Sequence, residues 1–366
     1  MFLVYESAGD TEMKYGEICP GKPITDTEGK TIHAHAGGLF YENGIYYWYG
    51  ENKEYTTGKN KIWTWGIRCY SSPDLYNWKD EGLIIAPEPD DPRSWLHPSR
   101  QMDRPHILYV SETGKYVCWL KYCGKTEACF CILTADHFLG PYQMEKENFR
   151  PFGKEVGDFD IWQDEDGTAY LYFASGHDGV VACALTSECT DVRLPYKVYY
   201  EDLPVPYCRE GIAMVKHDGT LYMLTSGMTG YIPNPTEAAR LDEPLGSLEI
   251  LGNPHLEDPS GASFHSQISA IFPHPGKEGL YIALADRWIP DLHLTEKKTE
   301  KMMRAMASCM DRRYRSTLLE KTALGLYPWN CGKVNTSRSQ YVWLPLYFDD
   351  GKPVIRWMDM WSWEAV

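Results

Sequence analysis

A chain of 366 residues that is 43% hydrophobic and 24% charged has globular composition, with length for one large β domain or two ordinary domains. Its formal net charge of -15 repels a phosphate backbone, which argues against a nucleic-acid partner. No stretch approaches the roughly 20 apolar residues of a membrane span, and Met1–Pro20 lacks the apolar run of a secretory signal, so a cytoplasmic setting without membrane contact is expected.

Aromatic residues reach 14%, and the 31 Gly and 24 Pro are enough to punctuate many short strands. From the N-terminus onward one pattern recurs: an apolar or aromatic run, a turn ending in Gly, and a second run rich in Tyr, Val and Leu. It covers residues 37–50, 105–120, 159–175, 211–227 and 268–286. Asn-Gly, Asp-Gly and related turns supply the positive φ of tight hairpins. The turn glycines Gly44, Gly114, Gly167, Gly219 and Gly279 lie 70, 53, 52 and 60 residues apart. That is the period of propeller blades, none of which can bury its faces alone.

Residues 66–85 and 129–144 read as the outer halves of blades, and a sixth hairpin over 341–361 as the outer strands of blade five. The expected fold is all-β: one five-bladed β-propeller domain over residues 1–366. Only the stretch 294–325 departs from it, because Met303, Met306, Met310, Tyr314 and Leu318 recur at helical spacing with Lys and Arg on the other faces. It predicts an amphipathic helix inserted in the fifth blade, its apolar stripe packed on the propeller wall. A basic helix on an acidic protein could also dock a second copy and make a homo-oligomer. The eleven cysteines are an odd number without disulfide-framework spacing, and the Cys129-x-Cys131 pair has no second pair at zinc-site spacing, so reduced structural thiols are expected.

Inner strands of a propeller converge on one end of the central tunnel, where ligands bind. Polar residues precede each hairpin: His33 and His35, then Asp103 and Arg104, Asp158 and Asp160, Arg209 and Glu210, Ser266 and Gln267. A single loop carboxylate is usually a solvated cap, but recurrence at the same place in successive repeats points to a site. Several carboxylates around one hollow suit glycosidic cleavage, which needs one acid to protonate the leaving oxygen and an opposing group to activate water. His33 and His35 share a strand face, as metal ligands do, yet no third ligand accompanies them, so a hydrogen-bonded tunnel rim is expected. Trp48, Trp162 and Trp288 either offer flat faces to a pyranose ring or pack between blades. Glu51 either accepts hydrogen bonds from sugar hydroxyls or pairs with a nearby Lys or Arg.

The segments IHAHAGGLFYENGIYYWYGENK (32–53), SSPDLYNW (71–78), DRPHILYVSETGKYVCW (103–119), GDFDIWQDEDGTAYLYF (157–173), REG (209–211), TSGMTGYIPN (225–234), SFHSQ (263–267) and SQYVWLP (339–345) carry a resemblance. Together they resemble glycoside hydrolase family 43, and within it the exo-β-1,3-galactanase branch, over residues 22 to 361 with the helical insertion unmatched. The resemblance implies an inverting, exo-acting hydrolase of β-1,3-galactosidic bonds in galactan or arabinogalactan-derived oligosaccharides. Glu210 matches the general acid and Asp158 the residue that tunes and orients it, while Gln267 and Asp103 match residues near the attacking water; Gln267 is expected to orient that water and Asp103 to hold the sugar. Glu51, His35, Arg104, Trp162, Arg209 and Thr229 fall at expected substrate-binding positions.

Most of the family carries a general-base aspartate in blade one, whereas HAHAGG here has no carboxylate. That counts against the alternatives of an α-L-arabinofuranosidase or β-xylosidase. A non-catalytic glycan-binding propeller is a further alternative, against which Glu210 and Asp158 argue, since a lectin needs no buried proton donor. A glutamine amide is a poor base at neutral pH, so Gln267 would position water or act through its imidic-acid tautomer, with Asp103 or Glu51 as the fallback carboxylate. Asp103 replaces the branch's usual Glu, and Ala36 its usual Gly. No cofactor is required; a structural calcium ion in the tunnel is left open.

Overall fold

The computed structural model describes residues 15–124, 128–176 and 178–366. The first fourteen residues, on which the secretory-signal reading mostly rests, lie outside the described residues. Blade one joins β1 (His35–Glu42), β2 (Ile45–Glu51), β3 (Ile67–Ser72) and β4 (Lys79–Ile85), and blade two joins β5 (Met102–Val110), β6 (Lys115–Tyr122), β7 (Cys129–Ala135) and β8 (Gln143–Phe149). Blade three follows with β9 (Phe159–Gln163), β10 (Ala169–Ala174), β11 (Val180–Leu185) and β12 (Val192–Tyr199). Blade four holds β13 (Arg209–His217), β14 (Thr220–Gly227), β15 (Glu237–Leu241) and β16 (Leu248–Gly252). Blade five holds β17 (Gln267–Pro273), β18 (Tyr281–Arg287), β19 (Gln340–Asp349) and β20 (Lys352–Ile355).

Each blade is a four-stranded sheet with its strands in sequence order. All five turn glycines adopt the left-handed φ that the hairpins need, from 66° at Gly114 to 87° at Gly167. The fold is thus the five-bladed propeller that the repeats predict. Blades bury both faces, and one apolar cluster fills each of the five blade interfaces. Trp119 and Phe130 of blade two, for instance, pack on Phe159 and Phe173 of blade three. Trp48 packs on Trp343 at 4.4 Å between ring centroids, joining the first blade to the last. Cys69, Cys118 and Cys131 lie buried in the interface of blades one and two, as structural thiols.

The helical segment sits between β18 and β19, within blade five, but it is not one helix. It divides into α1 (Glu296–Met310) and α2 (Leu318–Ala323). The backbone leaves helical geometry at Asp311 (φ -138°, ψ 123°), whose carboxylate takes hydrogen bonds from the backbone and guanidinium of Arg313. A capping box of Thr317 and Glu320 then starts α2. The break also corrects the expected apolar stripe. Met303 is buried with Met302 against Ile232, Ala262 and Leu294, whereas Met310 and Leu318 are 66% and 82% exposed.

Candidate active site

Four of the five inner strands shift register near their start, β17 between Ile268 and Ala270, and in the other three the bulge serves the cavity. The register shifts between His35 and Gly38 in β1, between Asp103 and His106 in β5, and between Glu210 and Ala213 in β13. A bulge leaves its extra residue outside the ladder and re-aims the backbone. Each freed N–H is donated to a carboxylate contributed by the preceding blade. Ala36 donates to Asp286 Oδ2 at 2.9 Å, Arg104 to Glu51 Oε1 at 2.9 Å, and Gly211 to Asp158 Oδ2 at 3.0 Å. Ala36 and Arg104 therefore hold φ of 47° and 49°, a strain of roughly 1–2 kcal/mol each that charge-assisted bonds offset. Gly211 is required as glycine, since a Cβ there would stand 2.6 Å from Ser226 Oγ and 3.0 Å from Gln267 Nε2.

These devices place one functional side chain from every blade around a cavity of about 270 Å³: Glu51, Asp103 with Arg104, Asp158, Glu210 and Gln267. Lys121, directly across the ladder from Asp103, puts a cation among them. Lys121 Nζ lies 2.7 Å from Asp158 Oδ1 and 3.3 Å from Asp103 Oδ2, and Arg104 Nε lies 2.9 Å from Asp158 Oδ1. Burial alone would raise the Asp158 carboxyl, but Arg104 and Lys121 outweigh it and hold that group well below the usual carboxylate range. Glu210 is pushed the other way, up to about 8, by burial first and then by the neighbouring Asp158 anion. Two adjacent carboxyls are thereby split into a permanent anion and a proton donor.

Asp103 is also kept ionised, since Lys121, Lys53, Cys123 and Trp63 overcome its burial. Its Oδ1 accepts from the Trp63 indole and its Oδ2 from the Cys123 thiol at 3.0 Å. Glu51 is raised to about 7 by burial, with Lys53 opposing that rise and Asp103 adding to it. Gln267 donates from Nε2 to Ser226 Oγ at 2.9 Å and accepts the Trp288 indole N–H on Oε1 at 3.3 Å. Trp63, Tyr231 and Trp288 form an aromatic arc along one wall, with centroids 6.1 and 4.7 Å apart.

Four expected binding residues do not present their side chains to this cavity. His35 is fully buried between blades one and five, with Nδ1 2.7 Å from Asp286 Oδ1, Nε2 3.2 Å from the Tyr341 hydroxyl, and its ring stacked on Tyr341. Arg209 precedes the bulge and so keeps the strand face opposite Glu210, where its guanidinium donates to Thr225 Oγ1 and the Thr225 carbonyl. Trp162 stands four residues beyond Asp158, about 13 Å along the strand direction, in a separate hollow with His106, Asp160 and Lys216. Thr229 turns its hydroxyl to the Ile232 carbonyl and Asn234, and acts on Glu210 only through its backbone N–H. Replacing His35 by Ala is expected to lower unfolding free energy in urea by about 3 kcal/mol, with KM unchanged. A raised KM at undiminished stability would return His35 to the sugar.

Among the described residues, no group of three or more His, Cys, Asp or Glu stands in a metal-binding arrangement. Several lining residues escaped the sequence. Lys121 had a signal, since hairpin register puts it opposite Asp103. Tyr231 and Cys331 come from irregular segments, where no periodicity predicts direction.

The model of the glycosyl hydrolases family 43 matches residues 39–258. A solved β-1,3-galactosidase of that family superposes with a TM-score of 0.76 at 28% identity, covering 95% of this chain and 64% of its own. A second, solved with galactodeoxynojirimycin, gives 0.75 at 26% identity and covers 94% of this chain and 100% of its own. An exo-β-1,3-galactanase from Clostridium thermocellum gives 0.70 at 25% identity, covering 94% and 66%. The chain thus spans just under two thirds of the first and third of these relatives. No curated protein matches the sequence.

Proposed function

The chain belongs to glycosyl hydrolase family 43, and from that premise we propose that it is an inverting, exo-acting hydrolase of β-1,3-galactosidic bonds in galactan-derived oligosaccharides. The observation that carries the reading is Glu210, a carboxyl kept protonated near neutral pH beside a carboxylate, Asp158, that cannot be protonated there. Glu210 protonates the leaving oxygen as the glycosidic bond breaks. Asp158 holds the Lys121 and Arg104 cations away from that proton and raises its retention. Gln267 orients the attacking water, and Asp103, fixed by Trp63 and Cys123, holds sugar hydroxyls. A small cavity walled by Tyr231 and Cys331 suits the end of a chain better than its middle.

Two solved galactosidases at 28% and 26% identity support galactose as the sugar. The experiment is a panel of aryl glycosides together with β-1,3-galactobiose, with the first-formed anomer followed by NMR. α-Galactose is expected to appear first. Activity confined to arabinofuranosides or xylosides would overturn the sugar assignment, and β-galactose as the first product would overturn inversion.

A further inference from the structure

Attack by water leaves a proton that some group in the cavity must accept. Hydrogen bonds, ion pairs and basicity together separate the candidates. Glu210 is the donor. Asp158 has Lys121 and Arg104 on Oδ1 and the Gly211 N–H on Oδ2. Asp103 has the Trp63 indole on one oxygen and the Cys123 thiol on the other, with Lys121 at 3.3 Å and Lys53 at 3.8 Å, and together these hold it below the usual carboxylate range and make it a weak base. Gln267 is held in its amide form from both ends, by Trp288 and Ser226, and an amide nitrogen has no lone pair free for a proton.

Glu51 remains. It ends β2, lines the cavity and lies across the ladder from His35. Its Oε1 takes a single main-chain N–H, from Arg104, and its Oε2 lies 2.5 Å from the Lys53 ammonium. We infer that Glu51 accepts the proton of the attacking water, an inference that rests on the hydrolytic reading of this cavity. The bond from the anomeric carbon to the leaving oxygen breaks as that oxygen takes the Glu210 proton. The water oxygen bonds the anomeric carbon, and one water proton passes to the Glu51 carboxylate. Solvent afterwards restores the proton to Glu210 and removes the one on Glu51.

The surroundings suit the role. The charged and titratable groups facing Glu51 are Lys53 from its own segment, Asp103 and Arg104 from β5, Tyr231 from the blade-four loop and Tyr341 from β19. Burial, and secondarily Asp103, bring the carboxyl to about 7 against Lys53 and the Arg104 N–H, so it is a stronger base than a solvated glutamate, and its ionised, proton-accepting form gains as pH rises through that value.

Glu51→Gln tests this on the best substrate of the glycoside panel. Turnover is expected to fall by roughly 10² to 10⁴-fold with KM within a few fold, and the acidic limb of the rate profile to vanish. The loss should be as large for aryl glycosides with good leaving groups, because water attack, not departure, is impaired. Turnover within a few fold of the parent, or a raised KM at unchanged kcat, overturns the inference. Because Glu51→Gln removes the carboxylate closest to the buried Lys53 ammonium, the double variant E51Q/K53M is measured beside it; a folded double variant with parental turnover overturns the inference equally. If Glu210→Gln also keeps parental turnover on the unactivated disaccharide, hydrolysis does not run through this cavity and the hydrolytic reading of it has failed. If only Glu51→Gln does, the hydrolytic reading stands and this assignment alone falls.

Discussion

Glu210→Gln is expected to lower turnover on β-1,3-galactobiose by roughly 10² to 10⁴-fold, with binding of the sugar retained. The amide fills the same space and keeps the Thr229 N–H as a neighbour, but it has no proton of useful acidity for the leaving sugar oxygen. An aryl galactoside whose phenolate leaves unaided should lose far less, and that contrast between leaving groups separates a missing proton donor from a damaged pocket. The pH dependence carries the same signature. Burial, reinforced by Asp158, raises the Glu210 carboxyl to about 8, so parental turnover should fall above that pH, and the variant should lack this limb.

The sign of the stability effect is also fixed. A carboxyl whose folded value lies above its unfolded one favours folding while protonated, so the parent loses stability as pH rises from the unfolded value of 4.5 toward 8. The glutamine cannot ionise, and the variant should match the parent in acid and exceed it in alkali. Urea unfolding at both ends of the range measures this. A variant less stable than the parent in alkali would mean that Glu210 is not a buried proton donor.

What made the fold legible was chemistry repeated five times: turn glycines that need positive φ, and paired apolar runs that can only be buried by neighbours. The site was legible for a related reason, because inner strands that begin at one rim deliver their first polar residues to one place. Simple alternation then misjudged individual directions. Arg104 reaches the cavity because it sits inside a bulge, while Arg209, one residue before a bulge, keeps the opposite face. His35 reads as a rim residue until Asp286 and Tyr341, more than 250 positions away, claim both ring nitrogens. The helix break at Asp311 is decided by a local side-chain bond that competes with the helix, which hydrophobic periodicity does not register.

Asp158→Asn should produce the largest combined loss, because that carboxylate serves both stability and the acid. Two buried cations are paired on it, and although Lys121 keeps Asp103, the Arg104 guanidinium loses its Nε partner while its Nη1 already lacks one. Stranding a buried charge in this way costs about 3–5 kcal/mol, which thermal or urea unfolding would read directly. Since Arg104 and Lys121 hold the Asp158 carboxyl below its unfolded value despite burial, its contribution is present above that value and is lost as pH falls through the folded one. The gap between parent and variant should therefore narrow toward strongly acidic pH. In the cavity the substitution removes the anion that raises Glu210 and leaves the two cations that lower it. The basic limb of the rate profile should move to lower pH, and turnover at neutral pH should fall because Glu210 then spends less time protonated. A variant that loses stability but keeps the basic limb in place would show that Asp158 braces the propeller without acting on the acid.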